Sequence, residues 1–438
     1  MSTLNNPRTI NAWALFDWAN SSYALVISVA IFPAYYTQIT SEQISIGSLT
    51  ISNSGLYAFS ISAAYLLIAV LSPFLGGIAD YGGKKKWFMR FFTTLGALAC
   101  ISMFFFKESA GALEATQPIG QILLGTGSFM LATIGFAGAL VFYNAFLPEI
   151  ASEDQYDRIS AKGFSYGYIG SVILLIINLL IITFPQTFGL PGEGTLPIRI
   201  SFVMVGLWWL GFAQIPFRRL PADKPGHQVG KLMTKGFQEL QKTWRVVRSE
   251  KNILGFLAAF FFYSAGVQTV LFLAATFAEK ELEFETTQLI IVILLLQLVA
   301  IAGAYLFAYL SEQKGNKFAL ITMLLIWVII CVLAYFVQNS TQFYFIAAAV
   351  GTVMGGIQSL SRSTYSKLLP EHTEDTASFF SFYDILEKFA IVVGTFSFGY
   401  IEYITGGMRN SVLALIIFFV MGLLLLLRVR IKHSKEAV

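Results

Sequence analysis

Apolar runs long enough to cross a bilayer follow one another along this chain, and they leave few folds open. Hydrocarbon offers no partner to backbone N–H and C=O groups, so a spanning segment must be a helix or a strand of a closed barrel. Runs of roughly 20 residues fit helices, whereas barrel strands are half that length and alternate apolar with polar residues. Twelve such runs lie near 12–38, 54–79, 87–106, 119–147, 163–184, 199–217, 252–278, 287–310, 318–337, 342–366, 378–402 and 411–430. Of 438 residues only 12% are charged, about half the share usual in a soluble domain. The expected fold class is therefore all-α, a polytopic membrane protein with twelve transmembrane helices. The N-terminal "MSTLNNPRTINAW" lacks a small-residue cleavage site, so the first helix is read as retained. Cys100 and Cys331 fall inside apolar runs and read as small buried hydrophobes.

The positions of Lys and Arg orient the chain. With the N-terminus in the cytoplasm, that side receives Arg8, Lys84, Lys85, Lys86, Arg90, Arg158 and Lys162, nine residues from Arg218 to Lys251, then Lys314, Lys317, Lys367, Arg428, Arg430, Lys432 and Lys435. The opposite side receives Lys107, Lys280, Arg409 and the borderline Arg199. Both termini are expected in the cytoplasm and the protein in the cell membrane. The polar segment 218–251 divides the chain into an N-terminal six-helix bundle, 1–217, and a C-terminal one, 252–438. It opens as a linker, "FRRLPADKPGHQVG", and continues with Leu240, Trp244 and Val247 on one helical face. This is either an interfacial helix on the bilayer surface or a solvated linker helix.

The halves echo each other. "LPEIASED" (147–154) follows the fourth run and "LPEHTED" (369–375) follows the tenth. "DYGGKKK" (80–86) follows the second run and the weaker "EQKGNK" (312–317) the eighth. Two echoes at equivalent places argue for a parallel internal repeat, the organisation of transporters whose halves move around a central site.

"GGIADYGGKKK" fits Gly-x-x-x-Asp-x-x-Gly-Lys-Lys through Gly76, Asp80, Gly83, Lys84 and Lys85. It resembles the signature loop of the major facilitator superfamily. Gly76 lets two helices approach, Asp80 suits a neighbouring helix N-terminus, and Gly83 permits a tight turn. The competing reading is positive-inside anchoring alone. Further stretches, "FDWANSSY", "VFYNAFLPEIA", "DRISAKGFSYGYIGS", "GVQTV", "GGIQSLSRSTYSKLLPE" and "FFSFYDILEKFA", resemble the "unknown major facilitator" family. That family is similar to the autophagy-related vacuolar effluxers of fungi. The resemblance implies a twelve-helix permease, with the first, fourth, seventh and tenth helices lining a cavity, and fungal relatives are associated with amino-acid efflux. One departure is Ala265, where the family often has an acid before Gly-Val.

Ionisable residues inside a span are rare and mark function by default. Asp17, Asn20 and Ser21 share one face of the first helix; Gln358, Arg362 and Tyr365 follow similar spacing in the tenth. Asp384 and Lys388 are four apart, with Glu387 beside them. Tyr143, Asn144 and Gln268 add neutral polar groups. These are the candidate substrate and coupling residues. Arg362, or failing it Lys388, is expected to pair with Asp17, as a cytoplasmic gate or as a site for a zwitterion. The structural alternatives are that Asp17 tethers the start of the first helix, that Arg362 snorkels to the surface, and that Asp384, Glu387 and Lys388 stabilise their own helix turn.

The expected function is secondary transport of a small polar organic solute by alternating access, with amino acids as a candidate class and protons as a candidate driver. No phosphate-binding loop GxxxxGK[ST] appears. His227, His372 and His433 have no catalytic or metal-ligand neighbours in sequence. The chain is therefore not expected to be an enzyme, to hold a metal or cofactor, or to bind nucleic acid. Its partners are the solute, lipid and protons, and it is expected to work as a monomer. A transporter-like sensor and a lipid-modifying enzyme are the alternatives.

Overall fold

The computed structural model describes residues 4–46, 49–107, 119–223, 232–370 and 373–431. Asn6 caps the first helix through a bond from the Arg8 amide, with Pro7 at its first position, where a missing N–H costs nothing. This helix, α1, runs Pro7–Ile39, and its middle, Tyr23–Ile31, is wound as a π-helix. There follow α2 (Asn53–Gly82), α3 (Lys85–Ser102), α4 (Ile119–Ala145), α5 (Tyr156–Thr183) and α6 (Leu196–Arg219). Next come α7 (Leu232–Ser249), α8 (Lys251–Leu282), α9 (Thr286–Lys314), α10 (Asn316–Phe336), α11 (Ser340–Leu368), α12 (Thr376–Thr405) and α13 (Met408–Arg428). A two-stranded antiparallel hairpin, β1 (Gln43–Ile46) and β2 (Leu49–Ser52), joins α1 to α2 and pairs Gln43 with Ser52. It is a small addition to the expected all-α chain.

Among the described residues, eleven helices are long and apolar enough to cross a membrane by length and composition. The exception among the twelve expected runs is 378–402, which forms the 30-residue α12. Asp384, Glu387, Lys388 and Glu402 lower its apolar content. The exterior carries large exposed apolar side chains such as Phe59, Leu123, Phe345 and Phe396. In water such a surface would aggregate; in hydrocarbon it is solvated.

Helix packing repeats along the chain. α1 packs on α5 and α6, α3 on α4 and α6, and α2 on α4. In the same order α8 packs on α12 and α13, α10 on α11 and α13, and α9 on α11. Across the two sets, α2 meets α12 and α5 meets α9, which is one contact written twice. The echo between "DYGGKKK" and "EQKGNK" thus sits on equivalent corners of a repeated packing scheme.

One end of the molecule gathers the basic loops. There Asn5 bonds Ile150 and Ser152, Lys242 of α7 meets Asp375 at 2.9 Å, and the Arg430 amide bonds Asn252. α7 lies against α2, with Phe74 stacked on Phe237. Its buried face is Gly236, Thr243 and Val247, with Leu240 half-buried. Trp244, expected on that face, is exposed and touches Phe382 of α12 at its edge. The Pro- and Gly-rich part of the linker, with His227, lies outside the described residues, as do His372, His433, Lys432 and Lys435.

Candidate functional site

A cavity of about 300 Å³ sits between the two sets of helices. Asp17 and Ser21 of α1, Asn144 of α4, Gln268 of α8 and Gln358 and Arg362 of α11 line it, so it draws on the four helices expected from the family resemblance. Asp384, Glu387 and Lys388 of α12 line its other wall. It therefore joins nine of the twelve candidate substrate residues. The other three are placed differently. Asn20 is buried but off the lining, and neither amide atom has a partner among the described residues. Its helical phase differs from that of Asp17 by three residues, enough to turn it from the cavity into the packing behind. Tyr365 packs on Phe380 and Tyr383 and donates to the Phe379 carbonyl. Tyr143 reaches the cavity through Asp17, to whose Oδ2 it donates at 2.7 Å.

Arg362 Nη1 meets Asp17 Oδ2 at 3.3 Å, with both side chains 5% exposed or less. The same nitrogen bonds Asn144 at 3.2 Å. Nε donates to Ser160 Oγ at 2.9 Å and Nη2 to the Ser160 carbonyl at 2.8 Å. Four of the five guanidinium donors are thus engaged. Trp13 and Phe164 place ring faces 4.7 and 4.2 Å from the guanidinium carbon, which suits a desolvated cation. Ser160 in turn donates to the Ser359 carbonyl at 2.7 Å, tying α5 to α11. The zwitterion alternative finds Arg362 already occupied in this conformation, and snorkelling is overturned because the head group is 3% exposed.

Gly163 makes this possible. A Cβ there would stand 2.9 Å from Arg362 Nη2, Asp17 Oδ2 and the Trp13 ring. One turn on, a Cβ at Gly167 would stand 2.6 Å from Ser21 Oγ. Small residues at this spacing let two membrane helices approach closely. Ser160, Trp13 and Phe164 were missed as site residues. The Gly163–Gly167–Gly170 spacing in "DRISAKGFSYGYIGS" was the signal that α5 presses on α1.

Two further clusters close the same end. Asp80, at the end of α2, accepts the amides of Ala377 at 3.2 Å and Ser378 at 2.7 Å, the first turn of α12. That is the helix-terminus contact expected of it. Lys85 lies 3.3 Å from Asp80, bonds Thr376 Oγ1 at 2.6 Å and pairs with Glu149. A Cβ at Gly76 would stand 2.9 Å from the Ala377 carbonyl oxygen, so glycine there lets α2 and α12 approach, and Gly83 takes the left-handed turn at φ 62°. Lys84 is exposed. At the equivalent corner Asp157 accepts from Ser311, Asn316 and Lys367 at 2.7–2.8 Å. Around "EQKGNK" the bonds to Asp157 of α5 come from Asn316 within the stretch and Ser311 just before it. The cavity lining also includes Val29 of α1 and Phe272 of α8, 44% and 36% exposed, further along their helices from the basic end than Asp17 and Gln268. The basic end is shut, and the lining becomes accessible away from it.

Cys100 and Cys331 are free and buried. Among the described residues no group of His, Cys, Asp and Glu could hold a metal ion. The arrangement offers a cavity lined by charges and aromatic rings, large enough to hold a small solute.

A family model described as "Vacuole effluxer Atg22 like" matches residues 5–438. An uncharacterized MFS-type transporter of Bacillus subtilis strain 168, YxiO, is 33% identical over 421 residues, 95% of this chain and 93% of that one. Autophagy-related protein 22 of Pichia angusta is 25% identical, over 84% of this chain and 73% of its own. Among solved structures, FucP in its outward conformation covers 98% of this chain and 99% of its own at a TM-score of 0.67 and 14% identity. The human organic anion transporter MFSD10 gives 0.69 at 12%, covering 96% of this chain and 100% of its own. At such identities these two carry the fold, which is that of the major facilitator superfamily.

Proposed function

The chain belongs to the Atg22-like family of major facilitator transporters, and from that premise we propose how this transporter works and what it carries. It moves a small polar organic solute, with amino acids as the first class to test, by alternating access, and protons are the candidate driving ion. Its working parts are the bundles 1–217 and 252–438, joined by 218–251, with both termini cytoplasmic in the cell membrane and a single chain as the unit. The repeated packing scheme supports the two bundles, and the basic end supports the orientation.

One observation carries the mechanism: the buried Asp17–Arg362 pair lies at the shut end of the cavity and joins α1 to α11. Each ion removed from water costs several kcal/mol, offset only while its partner and hydrogen bonds are in place. The pair is therefore favourable with the basic end shut, and must be replaced by water or by solute when that end opens. Such an element has two arrangements and works as a gate.

The test is uptake of radiolabelled amino acids, sugars and organic acids into liposomes holding the purified protein, with and without an imposed pH gradient. Amino-acid flux above that of empty liposomes, reduced at least tenfold by Asp17→Asn or Arg362→Gln, is expected. Flux of none of these solutes would remove the reading. Binding without flux would favour the sensor.

A further inference from the structure

The wall of the cavity opposite Asp17 and Arg362 holds an unbalanced charge. Lys388 Nζ takes one oxygen from each of two carboxylates, Asp384 Oδ1 at 3.1 Å and Glu387 Oε2 at 2.8 Å. Gln268 donates to the remaining Glu387 oxygen at 3.3 Å. Asp384 is 3% exposed and lines the cavity, yet its Oδ2 is buried without a hydrogen-bond partner among the described residues. A buried carboxylate oxygen left unmatched is costly, and its presence calls for an explanation.

Charge counting points the same way. Among the described residues, the charged ones lining the cavity are Asp17, Asp384 and Glu387 against Arg362 and Lys388. Three carboxylates against two cations leave one negative charge. Arg362 neutralises Asp17 at the shut end, so the surplus sits at Asp384 and Glu387. Aromatic rings surround it: Tyr65, Phe260, Tyr263 and Tyr383 line the cavity, and Tyr65 already faces the Lys388 ammonium at 5.7 Å. A carboxylate surplus among ring faces is what an organic ammonium group with an apolar body requires.

We propose that Asp384, seconded by Glu387, is the subsite for a protonated amino group of the transported solute. The ammonium pairs with the Asp384 carboxylate, whose buried Oδ2 turns toward the cavity to accept from it, and the apolar body of the solute lies against the aromatic wall. Lys388 is then a positioning residue, holding both carboxylates in place. Gln268 orients Glu387. The division of labour is that α1 and α11 form the gate while α12 reads the solute. The inference rests on the transporter reading only in calling the ligand the solute; the subsite itself is tested by binding.

The experiment uses purified full-length protein and three probes of one body: 2-phenylethylamine, 2-phenylethanol and 3-phenylpropionate. Thermal unfolding is followed with each. The amine should raise the melting temperature by about 3 °C at saturation, since a ligand of the folded state stabilises it. The alcohol and the acid should not, and the alcohol also controls for effects of the apolar body on detergent. Asp384→Asn should abolish the shift. Glu387→Gln, at a side chain 24% exposed and so tolerant of change, should weaken amine binding several-fold. Equal shifts from all three probes, or an amine shift that survives both substitutions, would overturn the proposal. Amine binding by a protein that moves no solute would keep the subsite and remove the transport mechanism. Amino-acid flux unaltered in Glu387→Gln, with no amine shift in the wild type, would do the reverse.

Discussion

At the scale of single residues, Arg362 is held by more groups than an ion pair needs. Asp17 supplies the charge, but Ser160, Asn144, Trp13 and Phe164 supply the fit. Removing one member of a buried pair strands the other, at about 3–5 kcal/mol, whereas removing both is far cheaper. Asp17→Asn and Arg362→Gln should therefore each lower the melting temperature more than the double variant does, as measured by thermal unfolding in detergent. A double variant as unstable as the sum of the singles would mean that the two residues act apart. Gly163→Ala puts a methyl into the pair and should cost about 1–3 kcal/mol by overpacking, with the unfolding midpoint as the readout. The pair itself was legible in the sequence, because Asp17 and Arg362 are rare charges on two helices that face one cavity. Ser160 was not. Its role rests on a backbone carbonyl and a hydroxyl that mean nothing until α5 is laid against α11.

At the scale of elements, the shut end depends on helix corners. Asp80 caps α12 and Asp157 receives α9, α10 and α11 at the equivalent corner. A charge-assisted bond lost from each is worth about 1.5 kcal/mol, close to tenfold in an opening equilibrium. Asp80→Asn and Asp157→Asn should each speed labelling of a Ser359→Cys thiol by an impermeant maleimide from the basic end, by about tenfold. Because the two corners share no side chain, the double variant should approach the product of the two. Equal labelling of wild type and variants would show that these corners do not hold the end shut. Most helix bounds were legible within a few residues, since apolar length sets them. The π-wound middle of α1 was not. Its sequence, "YALVISVAI", reads like any apolar helix, and only packing against neighbours selects an i→i+5 ladder. The buried face of α7 differed for a similar reason: Gly236 packs where Gly77 and α2 approach, and the helical spacing of the apolar residues Leu240, Trp244 and Val247 favoured Trp244.

At the scale of the whole molecule, the asymmetry of Lys and Arg between the two ends predicts orientation. In a bacterial host, a C-terminal green fluorescent protein fusion should fluoresce and a C-terminal alkaline phosphatase fusion should be inactive; the opposite pair of results would invert the topology. The sequence by itself determined that the chain lives in a membrane, that its segments are helices, that it repeats, and which charges are costly enough to need a purpose. Those properties follow from the solvent: hydrocarbon penalises each unpaired backbone group and each charge one residue at a time, so they can be read one residue at a time. Only the tertiary structure decided the other partnerships. Asp80 found α12, Lys367 found Asp157 across more than 200 residues, and among the described residues Asp384 kept one oxygen without a partner. Partnership depends on which helices lie side by side, and that is set by close packing summed over whole helix faces.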